Sequence, residues 1–439
     1  MSDTSSTEGT GEKGDREVEE RDSAENAGNS GEGGRTWLWL CAVCGFFVGL
    51  DSLVVSPLAP SITRATGTTT DYGGLLVTAY ALLFMLGAPL FGPICDRWGR
   101  KRMILAGLLV FLGGTALTGT GDSFALILVF RAVSGVGAAM VVPSIFALIS
   151  DRVPYERRGA AMGIVVGAMM AASVLGVPLG SAIAQVVSWR WTFRLVAVAA
   201  VVLLAAVWAA LPDAPPAVAD PSTGPVREWA SRLRTALSLP PVVFTLLSTL
   251  LWTAGLQGMF ANAGLFYNRE FGLTPGEAGL ALAGGGAASV IGNVYGGRIA
   301  DRVGRRGIIA AASAVAAGSV VAFSLLTGSL PAAVAVQAVW GLAVGFGQSS
   351  LTTLVSELSP RARGTALALN SSAQYGGMMA GTAAAAALLS AGAGFWAVGV
   401  LCGGCAVVVV PIVVFLVRER GEEQDVSPKP QGRAPEPAR

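Results

Sequence analysis

The 439-residue chain contains no histidine, and this absence excludes several kinds of site. Histidine-based triads, histidine-ligated metals and histidine proton relays are ruled out. Aspartate and glutamate remain as the carboxylate groups that could carry a proton near neutral pH. Charge is scarce too, because charged residues make up 13% of the chain, about half the share in an average soluble domain. A water-soluble fold is therefore not expected.

Neither the charge distribution nor the motifs of the chain favour a nucleic-acid partner or an enzyme. The formal net charge is +2 and the basic residues form short, scattered clusters, so we expect no binding to nucleic acid. The pairs Cys41/Cys44 and Cys402/Cys405 have the CxxC spacing of zinc or redox sites, but both lie in apolar stretches. We expect these cysteines to act as small buried hydrophobes. No phosphate-binding loop or nucleophile constellation is visible, so we expect no metal, no cofactor and no enzymatic activity.

The chain is instead rich in long apolar segments. Hydrophobic residues make up 53% of it, the mean hydropathy is +0.61, and 58 glycines would allow helices to pack closely in a membrane. Twelve apolar runs are long enough to span a bilayer as helices. The predicted spans 1 to 6 are 37–59, 73–94, 103–120, 124–149, 159–187 and 191–211, and spans 7 to 12 are 242–266, 275–299, 307–327, 331–355, 364–389 and 395–417.

These spans divide the chain into five parts. Residues 35–211 and 242–417 each contain six spans, and the Pro-rich, polar segment 212–241 is the predicted cytoplasmic linker between them. The polar ends, 1–34 and 418–439, are predicted disordered cytoplasmic tails because they cannot bury enough apolar surface to fold.

Basic residues predict the orientation, because cytoplasmic loops are enriched in them. With both termini in the cytoplasm, the outer loops hold Arg64, Arg190, Arg194 and Arg269, and Arg131 lies inside a span. The tails, the linker and the inner loops then hold 25 of the 30 Lys and Arg residues. This distribution predicts a multi-pass protein of the inner (plasma) membrane with both termini cytoplasmic.

The two halves repeat each other. The segment 92–101, GPICDRWGRK, recurs as GRIADRVGRR at 297–306, and Arg158-Gly159 recurs as Arg363-Gly364, in both cases with an offset of 205 residues. Two six-helix units related by a pseudo-twofold axis are therefore expected.

The repeated loop resembles the signature loop of the major facilitator superfamily. The resemblance implies an all-α membrane protein of twelve transmembrane helices in two pseudo-symmetric six-helix bundles. It also implies that the loop latches the cytoplasmic side when the protein faces outward. A Gly at position 99 permits a turn that a Cβ would obstruct. We define the cytoplasmic gate as Gly92, Asp96, Arg97, Gly99, Arg100, Asp301, Arg302, Gly304 and Arg305. A simple charge cluster that sets topology is the alternative.

Two more segments are similar to motifs of the same family. In span 4, Arg131-Ala-Val-Ser-Gly135 is similar to its intramembrane arginine motif. In span 5, Gly167, Gly176, Pro178 and Gly180 resemble the Gly/Pro motif of its drug:proton antiporters, although Val177 separates the usual adjacent Gly-Pro pair. Packing of small residues between helices is the alternative explanation for these glycines.

Asp51 is the one carboxylate well inside a predicted span. It lies about 12 Å below the outer end of span 1, and Arg131 lies about 10 Å below the outer end of span 4, at a rise of about 1.5 Å per residue. In the resembled fold, spans 1 and 4 face the same central cavity. Burial favours the neutral acid and a nearby guanidinium favours the carboxylate. We therefore predict that Asp51 and Arg131 form a proton-coupling pair; a static ion pair is the alternative.

Uncharged polar and aromatic residues complete the predicted site. Each of them could simply join two helices. As a group they suit an amphipathic substrate cavity. The predicted cavity residues are Tyr80, Trp252, Gln257, Asn262, Asn293, Asn370, Gln374 and Tyr375.

Together these features predict a monomeric secondary transporter in the lipid bilayer. Its partners are protons and a small-molecule substrate, a drug or a metabolite, which it exports by antiport with protons, as in multidrug efflux and antibiotic resistance. A proton-coupled uptake symporter is the nearest alternative, because the same fold serves both directions. A non-transporting membrane sensor is a third possibility.

Overall fold

The computed structural model describes residues 36–211, 230–231, 233–235, 237–359 and 363–417. Within them, the backbone alone is described at 92–93, 96, 155–160, 297–298, 301 and 363–364. The predicted tails and most of the predicted linker lie outside the described residues.

In this part of the chain all regular structure is helical, and twelve long helices, α1 to α12, correspond to the twelve predicted spans. The six helices of the N-terminal half are α1 (Thr36–Leu53, continued by Val55–Ala65), α2 (Leu75–Trp98), α3 (Arg100–Thr118), α4 (Phe124–Arg152), α5 (Tyr155–Ala171, a π-helical turn Ala172–Gly176, and Val177–Val186) and α6 (Trp189–Ala210). The six helices of the C-terminal half are α7 (Pro240–Phe271), α8 (Pro275–Val303), α9 (Arg305–Leu325), α10 (Leu330–Leu358), α11 (Arg363–Ser390) and α12 (Phe395–Pro411, ending in a π-helical turn Ile412–Leu416).

Eleven of these helices are long and apolar enough to cross a membrane by length and composition. The remaining one, α11, carries polar residues in its middle, at 370–372 and 374–375. It packs against α7 of its own half and α2 of the other half. These polar residues lower the hydropathy of α11. They are tolerated because this helix packs against other helices.

A few helix ends are capped by side chains or bounded by glycine. Ser123 accepts a hydrogen bond from the backbone of Leu126 at the start of α4. At the start of α8, Thr274 and Glu277 form a reciprocal capping box. Gly99 and Gly304 lie between helices at φ +89° and +95°, where a Cβ would be strained. The same glycine turn is therefore present in both repeats.

Each half has its own hydrophobic core. One core is built mainly from α1 to α6 and the other mainly from α7 to α12, with a few residues such as Ala261, Met378 and Val177 packing across the halves. Their close contacts repeat as well: a Cβ at Gly135 would lie 2.3 Å from the Tyr80 carbonyl oxygen, and a Cβ at Gly341 would lie 2.1 Å from that of Gly285. Tyr80 and Gly285 are separated by the repeat offset of 205 residues. The internal repeat is thus visible in the packing, and the predicted fold of two pseudo-symmetric bundles is confirmed.

Proline accounts for the breaks in α1 and α5. Pro57 and Pro178 cannot donate a backbone hydrogen bond, and each ring crowds the carbonyl four residues earlier, that of Leu53 or Val174. The first piece of α1 ends at Leu53, and the π-helical turn of α5 lies directly before Val177. Both irregular segments are in the N-terminal half, near Asp51.

The two halves meet closely on the predicted outer side and at mid-depth. Ser56 of α1 donates a hydrogen bond to the Phe260 carbonyl oxygen at 2.9 Å, and Thr78 lies 2.7 Å from Thr382. Nearer the outer surface, Arg269 at the end of α7 forms an ion pair with Asp71. The predicted outer side is therefore closed in this structure.

Candidate functional site

The backbone of α1 places Asp51 one turn before the break that Pro57 causes. Glycines on the same helix allow close approach to α5, since a Cβ at Gly49 would lie 2.8 Å from the Met169 carbonyl oxygen. On the facing side of α5, Gly176 leaves room for Leu50, whose Cδ1 atom would lie 2.7 Å from an added Cβ. Asp51 is consequently enclosed by protein and has no exposed surface.

Asp51 and Arg131 form a buried ion pair. The Arg131 Nη1 atom donates to the Asp51 Oδ2 atom at 2.5 Å, and both side chains are fully buried. Thr115 of α3 donates to the other carboxylate oxygen at 3.4 Å. Removing one partner of such a pair destabilises a protein by about 3–5 kcal/mol, because the other charge stays buried. The two residues predicted to couple protons are thus brought together.

The rest of the Arg131 guanidinium is held by weaker contacts. Its Nε atom lies 3.5 Å from the Leu76 carbonyl oxygen, and its Cζ atom lies 4.8 Å from the centre of the Tyr80 ring and 5.9 Å from that of Phe193. The Nη2 atom makes no hydrogen bond to the residues that the structure describes. Arg131 is therefore only partly satisfied, and the aromatic faces contribute cation–π attraction.

A small cavity lies beside this pair, between the halves. Its space for a water-sized molecule is about 10 Å³, so the cavity is nearly closed in this conformation, and no charged residue lines it. Ser52, the residue after Asp51, is part of the wall. The lining residues are Ser52, Leu53, Ser56, Val77, Gln257, Phe260, Ala261 and Met378.

The predicted cavity residues take several different positions. Gln257 lines the cavity, whereas Trp252, Asn262 and Asn370 are buried among helices. Asn370 accepts a hydrogen bond from Thr249 at 2.9 Å, so it joins α7 to α11.

The other four predicted cavity residues lie at or near contacts between the halves. Asn293 of α8 donates to the Met170 sulfur at 3.0 Å across the halves. Gln374 and Tyr375 are partly exposed on α11, and the ring of Tyr375 lies 6.3 Å from that of the buried Tyr80. The structure therefore places one of the eight, Gln257, in the wall of this cavity.

In the C-terminal half, an uncharged residue, Gln337, stands at the position that corresponds to Arg131. Gln337-Ala-Val-Trp-Gly341 of α10 matches Arg131-Ala-Val-Ser-Gly135 of α4 in the pseudo-symmetric arrangement. The Gln337 Oε1 atom accepts a hydrogen bond from the hydroxyl of Tyr267, and both side chains are buried. Sequence reasoning missed this pair, although the shared Ala-Val-x-Gly pattern could have revealed it. Among the side chains that the structure describes, a buried ion pair therefore occurs in the N-terminal half and not in the C-terminal half.

At the predicted cytoplasmic gate, two equivalent ion pairs join the loop to the end of a helix. Arg100 donates to Asp151 at 2.9 Å, and Arg305 donates to Glu357 at 2.8 and 2.9 Å. Neither acid was predicted; each lies just beyond predicted span 4 or span 10, in the last turn of α4 or α10. Both pairs stay within their own half.

The structure describes the side chains of only some of the remaining gate residues. The side chains of Arg97 and Arg302 are exposed. The side chains of Asp96 and Asp301 and the surroundings of Gly92 lie outside the described residues, so the predicted latch between the halves stays a prediction.

In the antiporter-like segment, the structure gives three residues a local role. Gly176 and Gly180 face α1: a Cβ at Gly180 would lie 2.7 Å from a methyl carbon of Val54. Pro178 follows the π-helical turn. Gly167 has no neighbouring atom within 4 Å of an added Cβ. The Gly/Pro segment thus brings α5 against the part of α1 that carries Asp51.

Comparison with known proteins gives a consistent result. The model of the family described as Major Facilitator Superfamily matches residues 41–269 and 254–438. The Bacillus subtilis protein YwfA, an uncharacterized MFS-type transporter, is 30% identical over 86% of this chain and 91% of its own length. A chloramphenicol resistance protein of Streptomyces lividans is 27% identical over 60% of this chain and 67% of its own length.

Among solved structures, a D-xylose–proton symporter has a similar fold. The TM-score is 0.72 at 17% identity, and the match covers 88% of this chain and 98% of that one. At this identity the likeness concerns the fold alone.

Proposed function

This chain belongs to the major facilitator superfamily of transporters, and we propose that it is a proton-driven exporter of small, neutral, partly apolar molecules. The observation that carries the proposal is the buried pair of Asp51 and Arg131, in which Asp51 directly precedes Ser52 of the cavity wall. A carboxylate that exchanges between a cationic partner and a proton can link proton movement to a change of conformation.

The proposed cycle moves one proton inwards and one substrate outwards. When the outer side is open, a proton binds the Asp51 carboxylate, the ion pair with Arg131 is lost, and substrate leaves. The halves then rock to open the inner side. There Asp51 releases its proton to the cytoplasm, pairs with Arg131 again, and substrate enters the cavity. The closed outer side and the formed ion pair suit the state that has released its proton.

The cavity supports a neutral substrate. Its wall holds Ser52, Ser56 and Gln257 as polar groups and is otherwise apolar. Asp51 and Arg131 neutralise each other, so an ionic substrate would find no counter-charge, and burial of an unpaired charge is strongly unfavourable. A relative named for chloramphenicol resistance is consistent with this class of compound.

Export is supported by the antiporter-like segment of α5 and by the names of several relatives, among them the multidrug resistance protein 3 of Bacillus subtilis. The distribution of basic residues supports a location in the plasma membrane with both termini in the cytoplasm. We expect a monomer, because the cavity is lined by the two halves of a single chain.

Everted membrane vesicles test both the direction and the coupling. Respiration acidifies their interior, and a fluorescent acridine dye reports the pH difference. Chloramphenicol and a panel of neutral amphipathic compounds are added to the medium, on the cytoplasmic face. An exporter carries the compound in and protons out, so the dye fluorescence recovers. Vesicles with Asp51→Asn, which cannot titrate, are expected to show no recovery.

Each alternative has its own result in this assay. Recovery only from vesicles preloaded with the compound would show an uptake symporter. Equal recovery with the parent protein and with Asp51→Asn would remove Asp51 from the mechanism.

A further inference from the structure

Tyr80 is a fully buried residue of α2 that lies between the ion pair and the C-terminal half. On one side, the Arg131 guanidinium carbon lies 4.8 Å from the centre of its ring. On the other side is Tyr375 of α11, with 6.3 Å between the ring centres. Tyr375 also stacks at 3.6 Å on Phe84, which follows Tyr80 by one turn of α2. One face of α2 therefore links the ion pair of the N-terminal half to a helix of the C-terminal half.

The polar contacts of Arg131 are divided between α1 and α2. Its strongest contact is with Asp51 on α1. The other polar contact, at the Leu76 carbonyl oxygen, and the nearer of the two aromatic rings, Tyr80, both belong to α2. When Asp51 binds a proton, the guanidinium loses its counter-ion, and attraction to the π face of a ring and to a carbonyl oxygen is what remains. Protonation of Asp51 thus weakens the contact of Arg131 with α1 and leaves its contacts with α2 as the stronger ones.

We propose, on the basis of the proton coupling proposed above, that Tyr80 is a positioning residue that converts protonation of Asp51 into movement of α2 against α11. The charged and titratable groups around Asp51 in the described residues are Arg131 from α4 and Tyr80 itself, with Thr115 of α3 as a further donor. Tyr80 does not line the cavity, so this role differs from contact with substrate.

Phe193 provides a matched control. It is also fully buried, and its ring centre lies 5.9 Å from the same guanidinium carbon. It belongs to α6, which packs against α3 and α5 of its own half. If the aromatic ring is needed only for its contact with the guanidinium, replacing Phe193 or Tyr80 should have the same effect on the pH response. If the contact with α11 is needed, only replacement of Tyr80 should affect the pH response.

The test needs no substrate, because protons alone are the probe. Thr120 and Thr327 are exposed residues of loops in different halves, both on the predicted outer side. Thr120→Cys and Thr327→Cys are spin-labelled in full-length protein whose five native cysteines are replaced by alanine. The distance between the labels is measured by pulsed electron resonance in lipid nanodiscs at about pH 8 and about pH 5.5.

We expect the ratio of outer-open to outer-closed molecules to change with pH in the parent, by up to roughly tenfold per pH unit for one coupled proton. Tyr80→Leu should lose this response. Tyr80→Phe should keep it, because the ring face and not the hydroxyl makes the contact, and Phe193→Leu should keep it too. If Tyr80→Leu does not yield folded protein, Tyr375→Leu tests the same link from α11 and should also lose the response.

The failures are distinguishable. A parent whose distances ignore pH would overturn the proton coupling and the role of Tyr80 together. A pH response in Tyr80→Leu equal to that of the parent would overturn the role of Tyr80 and leave the coupling in place. Equal loss in Phe193→Leu and Tyr80→Leu would show a general need for aromatic packing, and the specific role of Tyr80 would be wrong.

Discussion

The buried ion pair makes a quantitative prediction about stability. Two unit charges about 4 Å apart attract by about 4 kcal/mol at an effective dielectric constant of about 20, so Asp51→Asn or Arg131→Gln alone should be strongly destabilising. Helices of membrane proteins stay inserted when they unfold, and part of the penalty is then present in the unfolded state too. We therefore expect each single variant to lower the free energy of unfolding by about 2–4 kcal/mol.

The double variant separates the cost of an unpaired charge from a general loss of packing. Asn and Gln at these two positions leave no charge and can still form a hydrogen bond, as Gln337, the counterpart of Arg131, does with Tyr267 in the other half. The double variant should therefore be more stable than either single variant.

The pair of Arg100 and Asp151 is the control. The Asp151 side chain is 48% exposed, and ion pairs with an exposed partner contribute about 0–1 kcal/mol, so Asp151→Asn should change stability little. The measurement is reversible unfolding of the purified protein in lipid bicelles. A double variant as unstable as the sum of its two single variants would refute this reasoning about the pair.

Three further predictions concern the gate, the topology and helix packing. Asp96→Asn should impair transport with little loss of folded protein, and Asp301→Asn should be milder because its loop has no adjacent lysine; parent-like transport by both would show that the loops serve topology alone. A cysteine at Ser222 in a cysteine-free protein should resist impermeant thiol reagents in intact cells, and ready labelling would contradict the cytoplasmic linker. Gly135→Ala should lower the unfolding temperature, because its Cβ would meet a backbone oxygen at 2.3 Å and over-packing costs about 1–3 kcal/mol, whereas Gly113→Ala, with no atom within 4 Å, should not.

The number of helices and their order could be predicted from the sequence because a membrane span needs only length and apolar composition, which are local properties. Their exact ends could not. Span 7 was predicted as 242–266, but α7 runs from Pro240 to Phe271, since a helix continues past the apolar core into the interface and the hydropathy signal ends first. The glycine turn of the gate was also predictable, because a positive φ at Gly99 and Gly304 is a local requirement that each repeat meets on its own.

Which side chains meet was decided by the tertiary structure. Matched depth made Asp51 and Arg131 candidates for one pair. The partners of Arg100 and Arg305 could not be predicted in this way. They are Asp151 and Glu357, which lie about 50 residues away in the sequence, and no local pattern predicts these contacts. The predicted cavity residues show the same limit. Gln257 and Asn370 are equally polar in the sequence, yet one faces the cavity and the other joins two helices.

The physical reason is that hydropathy reports how deep a residue lies, while the rotation and crossing of helices set what it faces. Around Asp51 these depend on the prolines that break α1 and α5 and on the glycines that let the two helices touch. The sequence by itself therefore determined the twelve-helix repeat and the few charges within it. Only the packing of α2 between Arg131 and α11 decided that Tyr80 lies between the ion pair and the other half of the molecule.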